Sequence, residues 1–283
     1  MAGTSALAGR RILVTGATSG LGWTIAKTLA TEQGAHVIAT GRRDDRLQQL
    51  SAEVAAHTIS NVSDIPDISK GSIETHALSL TDRDATSKLC TKLAESGVDD
   101  LILNAGITRT QPFDQGSFEF DQTLLETNVT ANLQLIRELL EPLSHNNVGG
   151  RILLIASLAG VIPLPYQSVY AGSKAFLVNF GLSLREELKS HGICVLVFAP
   201  GGIATEMTDT AAMANMQNQL ASVDAVAADA ISMFISRRPL VVPGGQNKLV
   251  ALLGRLLPRS WLSAIIGKFY RRAGADGSQP FPK

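Results

Sequence analysis

Cysteine is close to absent from this 283-residue chain, and net charge is absent altogether. The two cysteines, Cys90 and Cys194, stand far apart, one in a helical pattern and one in an apolar strand pattern. That favours buried thiols in a reducing compartment over a disulfide framework. The 25 Lys and Arg balance the 25 Asp and Glu, so no overall field draws the chain to nucleic acid or to a membrane. Five histidines (His36, His57, His76, His145, His191) show no metal-ligand spacing. No basic-then-apolar leader opens the chain, no apolar run is long enough to span a bilayer, no segment repeats and no linker divides it. A cytoplasmic protein without a metal site or a nucleic-acid partner is the expectation.

What is present is an apolar share of 45%, enough for a sizeable core. Residues 1–9 read as a loose leader. Arg11 to Thr15 reads as a buried strand, ended by Gly16-Ala-Thr-Ser-Gly20-Leu-Gly22 and followed by a helical pattern through Ile25 and Leu29. Strand, glycine turn and helix in that order suit a phosphate: Gly16 permits the tight turn, Gly20 the close approach of backbone, and Gly22 the packing of helix on strand. An ordinary glycine-rich turn is the plainer alternative. His36 to Thr40 is the second strand. Where an acid for a ribose 2′-hydroxyl is usual, the chain carries Arg42 and Arg43, which suit a 2′-phosphate. The pair could also be merely solvated, and Asp44 and Asp45 fall where a helix cap is expected.

A helix over 43–55 and a loop over 56–72 follow. Ile73 to Leu80 is the third strand, Thr81-Asp82 starts a helix, and Asp99 to Gly106 is the fourth strand with its stop. One long helix is expected from Phe118 to Leu143. Asn128 within it is a poor helix former, which hints at a bend or a role for its amide, unless it simply faces solvent. Arg151 to Ala156 is the fifth strand, Gly192 to Ala199 the sixth and Leu240 to Val242 a short seventh. Helices to Leu188 and over 223–236 lie between them. Strands alternating with helices imply a parallel sheet covered on both faces. Glu206 to Ser222 has no strong signal and suits a mobile lid.

Between the fifth and sixth strands, Ser157 ends a strand and Tyr170 and Lys174 lie four apart on one helix face. A phenol titrates too high to exchange protons well at neutral pH; a neighbouring ammonium lowers that value. The group is a candidate general acid/base for alcohol–carbonyl interconversion, although the spacing alone more often describes a surface pair.

Taken together, these motifs resemble those of the short-chain dehydrogenase/reductase family over residues 10–243. The resemblance rests on Gly16, Gly20 and Gly22; on Leu103-Asn104-Ala105-Gly106; on Asn128 in Thr127-Asn128-Val129; on Ser157, Tyr170 and Lys174; and on Pro200, Gly201 and Thr205. It implies an α/β fold of the Rossmann-like, doubly wound kind, with about seven parallel strands. It also implies NADP(H), with NAD(H) the lesser alternative, held along Gly16, Thr18, Ser19, Gly20, Leu21 and Gly22, by Arg42 and Arg43, and by Leu80. Asn104, Ala105 and Gly106, Tyr170 and Lys174, and Pro200, Gly201, Ile203 and Thr205 would complete that set. Tyr170 would donate the proton, Lys174 lower its pKa and hold the ribose, Ser157 polarise the substrate carbonyl, and Asn128 hold a water. Asn104 would line the adenosine-ribose side and Thr205 meet the carboxamide. Leu103 and Ser79 depart from the usual Asn and Asp.

By the same resemblance Leu158, Val161, Pro163, Tyr166 and Met207 would line the cleft beside Ser157, with Met213 and Met216 on the lid. An apolar ketone, aldehyde or alcohol would be the substrate. A homodimer or homotetramer through the two long helices is implied. A non-catalytic NADP-binding sensor or scaffold is the alternative function, and an epimerase or dehydratase of the family's longer branch is disfavoured by length. About 40 residues follow position 243, the end of the domain expected over 10–243. Leu249 to Leu257 and Trp261 to Tyr270 form apolar helical patterns broken at Pro258, interleaved with Lys and Arg, and 273–283 reads as disordered. This C-terminal extension, 244–283, could cover the cleft, pair with another subunit, or lie on an anionic membrane surface.

Overall fold

Seven strands are hydrogen-bonded in the order β3-β2-β1-β4-β5-β6-β7, every pair parallel. The computed structural model describes residues 5–60, 71–145, 149–206, 208 and 220–272. The strands are β1 (Arg11–Thr15), β2 (His36–Gly41), β3 (Ser72–Ala77), β4 (Asp100–Leu103), β5 (Arg151–Ile155), β6 (Cys194–Phe198) and β7 (Leu240–Val241). The helices are α1 (Gly20–Thr31), α2 (Asp44–Ser60), α3 (Arg83–Ser96), α4 (Phe118–Leu125), α5 (Ala131–Ser144), α6 (Ser168–Glu187), α7 (Val223–Ser236), α8 (Gly245–Leu256) and α9 (Arg259–Arg272).

The central strands are continuous apolar runs because helices cover both faces of the sheet. On one face Ile12 and Val14 of β1 and Leu196 and Phe198 of β6 pack with Ile25 and Leu29 of α1 and Ile231 and Phe234 of α7. On the other, Leu13, Leu101 and Leu154 pack with Leu93 of α3, Leu135 and Leu139 of α5 and Leu177 of α6. Strand order reverses between β1 and β4, which opens a crevice at the carboxyl ends of the strands, the place where ligands bind in such sheets. At the opposite end the Asp100 carboxylate at the start of β4 accepts from Arg10 Nε at 2.5 Å and from Arg10 Nη2 at 2.8 Å. Both side chains are buried. Asp100→Ala leaves the guanidinium buried without its partner, so a loss of about 3–5 kcal/mol in urea unfolding is expected.

Several boundaries differ from the sequence expectation, among them the third strand, which ends at Ala77 and not at Leu80. Residues 5–9 are not loose: Leu7 is fully buried in the first core and Gly9 N–H donates to Gly34 O. That burial contributes roughly 1.5–3 kcal/mol. Helix α2 runs on to Ser60, carried by the buried Leu47, Leu50 and Val54 on one face, so 56–60 is helix and not loop. Asp44 and Asp45 occupy the first turn of α2, where their charge suits the helix dipole, and do not cap it. The long helix over 118–143 is interrupted: residues 126–130 form a π-helical turn between α4 and α5, centred on Asn128. The rest of the loop expected over 56–72, residues 61–70, lies outside the described residues, as do Met207, Met213, Met216 and the tail over 273–283. Both cysteines are free; burial first, and then Glu138, pushes the Cys90 thiol up to about 12, as suits an inert core residue.

Candidate active site

The crevice is stitched together at the first glycine turn. Thr15 Oγ1, at the end of β1, accepts from the N–H groups of Asn104 and Ala105, each at 3.0 Å. Asn104 Nδ2 donates back to Thr15 O at 3.0 Å and Gly16 O at 3.3 Å. The Asn104 Nδ2 group thus braces the turn. Gly16 has φ +69°, a left-handed conformation that favours glycine. A Cβ on Gly22 would run into Gly16 O and Asn104 Nδ2, so glycine is what lets α1 start this close to the strand. Ser19 caps α1 without a side-chain bond and no acid sits in the first turn. The helix thus presents its first N–H groups and positive dipole end to the crevice.

Around this turn, Thr205 lies so near Gly20 that a Cβ there would touch its methyl. Arg43 Nη2 donates to Thr18 O at 3.0 Å and Nη1 pairs with Glu206 at 3.0 Å. Arg42, beside it, is exposed at the end of β2. The two arginines read from sequence as one pair are thus divided: Arg43 is engaged by the turn, and Arg42 points its charge to solvent. Leu80 is buried past β3, and Ser79 Oγ shares a hydrogen bond with Thr81 Oγ1 at 2.9 Å. Pro200 O accepts from Leu158 N–H at 2.7 Å, and Ile203 bridges Ala221.

The second half of the site grows from β5 and α6. Gly181 brings α6 against Leu154 and Val197 of the sheet, a contact a side chain would block. This close docking sinks Lys174 into the interior, where it is 4% exposed. Lys174 Nζ donates to Ile155 O, at the end of β5, at 2.9 Å. Ser157, two residues on, accepts from Ala159 N–H at 3.1 Å, its Oγ donates to Pro200 O at 3.5 Å, and it lies near enough to the Tyr170 phenol to lower its pKa. The Tyr170 ring centroid is 5.8 Å from Lys174 Nζ. Asn128 is fully buried; its Oδ1 accepts from Ile107 N–H at 2.8 Å, and its Nδ2 donates to Ile107 O at 3.0 Å and to Ser173 Oγ at 3.1 Å. Satisfying both groups of Ile107 holds Asn128 in the π turn and ties the loop after β4 to α6. Gly106 lies between Asn128 Oδ1 and Lys174 Nζ. Ser157, Tyr170, Lys174 and Asn128 thus lie at one end of the sheet, Tyr170 and Lys174 on one face of α6.

Electrostatics differ from the expectation in one respect. Burial holds the Tyr170 phenol above its ordinary value, with nearby Ser157 working the other way; Lys174 is not among the groups that shift it. Lys174 itself is lowered by burial to about 8. An ammonium-lowered phenol is the expectation from spacing; desolvation is the larger effect at this buried site.

One residue of the site was missed. Tyr270, on α9, is buried and stacks on Tyr166 with ring centroids 6.3 Å apart and an interplanar angle of 22°. Its phenol is raised by burial first and by the charge of Tyr170 second, which places the two phenols within electrostatic reach. Tyr166 itself has φ +67°, an uncommon conformation for an aromatic residue, in the loop after Ser157. Gly267 packs on Pro165 and Gly254 on Ile162, so α8 and α9 roof that loop.

A family model described as short chain dehydrogenase matches residues 10–215. The chain belongs to the short-chain dehydrogenase family. It is 37% identical over 205 residues to nodulation protein G of Rhizobium sp. (strain N33), spanning 72% of this chain and 77% of that one. It is also 37% identical over 202 residues to serine 3-dehydrogenase of Agrobacterium fabrum (strain C58), spanning 70% of this chain and 73% of the other. Among solved structures, a short-chain dehydrogenase from Sphingobium yanoikuyae in complex with NADPH superposes with TM-score 0.75 at 26% identity, covering 87% of this chain and 93% of that one. This short-chain dehydrogenase is therefore an oxidoreductase with a Rossmann-like parallel sheet and added C-terminal helices.

Proposed function

We propose that this short-chain dehydrogenase is NADP(H)-dependent and interconverts an apolar ketone or aldehyde with its alcohol, Tyr170 acting as general acid and base. The observation that carries the reading is Tyr170 set over a buried Lys174 whose Nζ is fixed on Ile155 O at the carboxyl end of the sheet, with Ser157 beside them. The nicotinamide would supply or take the hydride. Everything else falls to the protein. Ser157 positions the substrate oxygen, and Tyr170 exchanges a proton with it. Asn128 holds α6 and the β4 loop in fixed relation.

Two observations support the cofactor. Lys174 Nζ spends one of its three N–H groups, on Ile155 O, among the described residues, which leaves buried donors for ribose hydroxyls. Arg42 stands exposed at the turn where a 2′-phosphate would arrive. The NADPH carried by the Sphingobium structure agrees with both. Tyr166, stacked under Tyr270, would line the approach to Ser157 together with Val161 and Pro163. The stacked Phe176–Phe180 pair on α6, with Phe176 exposed, suits a homo-oligomer contact along that helix.

NADPH consumption over a panel of apolar ketones and aldehydes tests the activity. Oxidation of at least one supports it, and a cofactor-binding protein inert to all of them would sink it. Arg42→Ala tests the cofactor separately. Hydrogen bonds to charged groups contribute about 1.5–3 kcal/mol, so the preference for NADPH over NADH is expected to fall roughly ten- to hundredfold. The readout is kcat/KM with each cofactor, and an unchanged ratio removes Arg42 from the 2′-phosphate site.

A further inference from the structure

Helices α8 and α9 are oriented against the usual rule. Residues facing the domain are mostly small or spent on the cleft: Ala251, Gly254, Leu262, Gly267 and Tyr270. The large apolar side chains face out. Of the thirteen large hydrophobics left exposed among the described residues, eight lie between Leu249 and Phe269. Leu256 and Trp261 are 71% and 67% exposed. A surface helix stabilised only by its own domain would turn that stripe inward. An exposed apolar cluster of this size marks a contact with something else.

Charge says what that something is. From Gly245 to Arg272 the chain carries Lys248, Arg255, Arg259, Lys268, Arg271 and Arg272 and no Asp or Glu, although its overall net charge is zero. All six cations are exposed. A second copy meeting this face would set six cations against six. An anionic lipid surface accepts both halves of the pattern, since leucines and tryptophan enter the acyl boundary while Lys and Arg stay at the headgroups. No helix of the described residues is long and apolar enough to cross a membrane, so the segment would lie on it.

We propose that α8 and α9 form an amphipathic foot that docks the enzyme on anionic phospholipid. The same two helices roof the loop after Ser157 on their inner side, through Tyr270 on Tyr166 and Gly267 on Pro165. Docking therefore holds the cleft beside the lipid, where an apolar substrate is concentrated.

The test is co-sedimentation of the full chain with phosphatidylcholine vesicles with and without phosphatidylserine. Binding is expected with phosphatidylserine and is expected to weaken in high salt, by about fivefold for each Lys or Arg that salt screens from the headgroups. A blue shift of Trp261 emission should accompany it, absent in Trp261→Phe, with Trp23 as the constant background. The paired substitutions L256E and W261E, both on exposed positions away from the cleft, are expected to reduce binding at least about tenfold with NADPH turnover in solution unchanged. No co-sedimentation, or equal binding to purely neutral vesicles, overturns the proposal. So does a dimer in solution that L256E and W261E dissociate, or polyglutamate binding as tight as vesicle binding and untouched by those substitutions. Each readout of binding is independent of whether any ketone is turned over.

Discussion

Tyr170→Phe is expected to lower kcat by about 10²–10⁴-fold and to change the Kd for NADPH far less. The substitution keeps the ring near Lys174 and removes one hydroxyl, the group set beside Ser157. The glycine turn and Arg42, which would hold the phosphates, belong to β1, α1 and β2 and do not touch Tyr170. The direction of the Tyr170 shift adds a pH signature. Its pKa is raised by burial, with nearby Ser157 opposing, so the phenol keeps its proton beyond its ordinary range. Carbonyl reduction needs that proton and should be flat through neutral pH. Alcohol oxidation needs the phenolate and should climb steadily on the alkaline side. Wild-type rates in both directions over pH, together with the Phe variant, check this. Full turnover in Tyr170→Phe, or oxidation that falls as pH rises, would remove Tyr170 from the reaction.

Much of this was legible from local patterns, and the reasons for the remainder are physical. Arg11 to Gly22 announced a strand, a tight turn and a helix, because each depends on residues next to one another. The parallel sheet followed from alternation. Asn128 was visible as a poor helix former, yet the π turn is made by both backbone groups of Ile107, which no local reading places beside it. Leu7 belongs to no periodic run, so only the packed core reveals that it is buried. Phe269 and Tyr270 are neighbours on one helix; the docking of α9 on Pro165 and Tyr166 decides that Tyr270 faces the cleft and Phe269 the outside. Four-residue spacing put Tyr170 and Lys174 on one face. It could not say that Gly181 lets α6 sink that face into the protein, and the electrostatics turn on that burial.

Lys174→Met should separate activity from stability. Turnover is expected to fall at least about 10²-fold, since a charge positioned at the reacting centre is lost. Stability at pH 7 is expected to rise. Burial lowers Lys174 from 10.5 to about 8, and at 1.36 kcal/mol per unit the folded chain bears a penalty of roughly 3 kcal/mol whenever the ammonium is charged. The sign follows from proton counts. Between about pH 8 and 10.5 the unfolded chain binds more protons at this site than the folded one, so the lysine's contribution improves as pH rises and is worst below about 8. Methionine removes the penalty but leaves Ile155 O, now paired with Nζ at 2.9 Å, without that donor, a cost of about 1–3 kcal/mol. The variant should therefore be the more stable protein at pH 7 and lose that advantage towards pH 10.5. Other titrating groups are shared, so the difference between the two urea-unfolding curves isolates Lys174. Stability–pH curves that run parallel would mean that the amine is not desolvated as the structure shows. A divergent pair would mark Lys174 as a residue retained for chemistry against the interest of the fold.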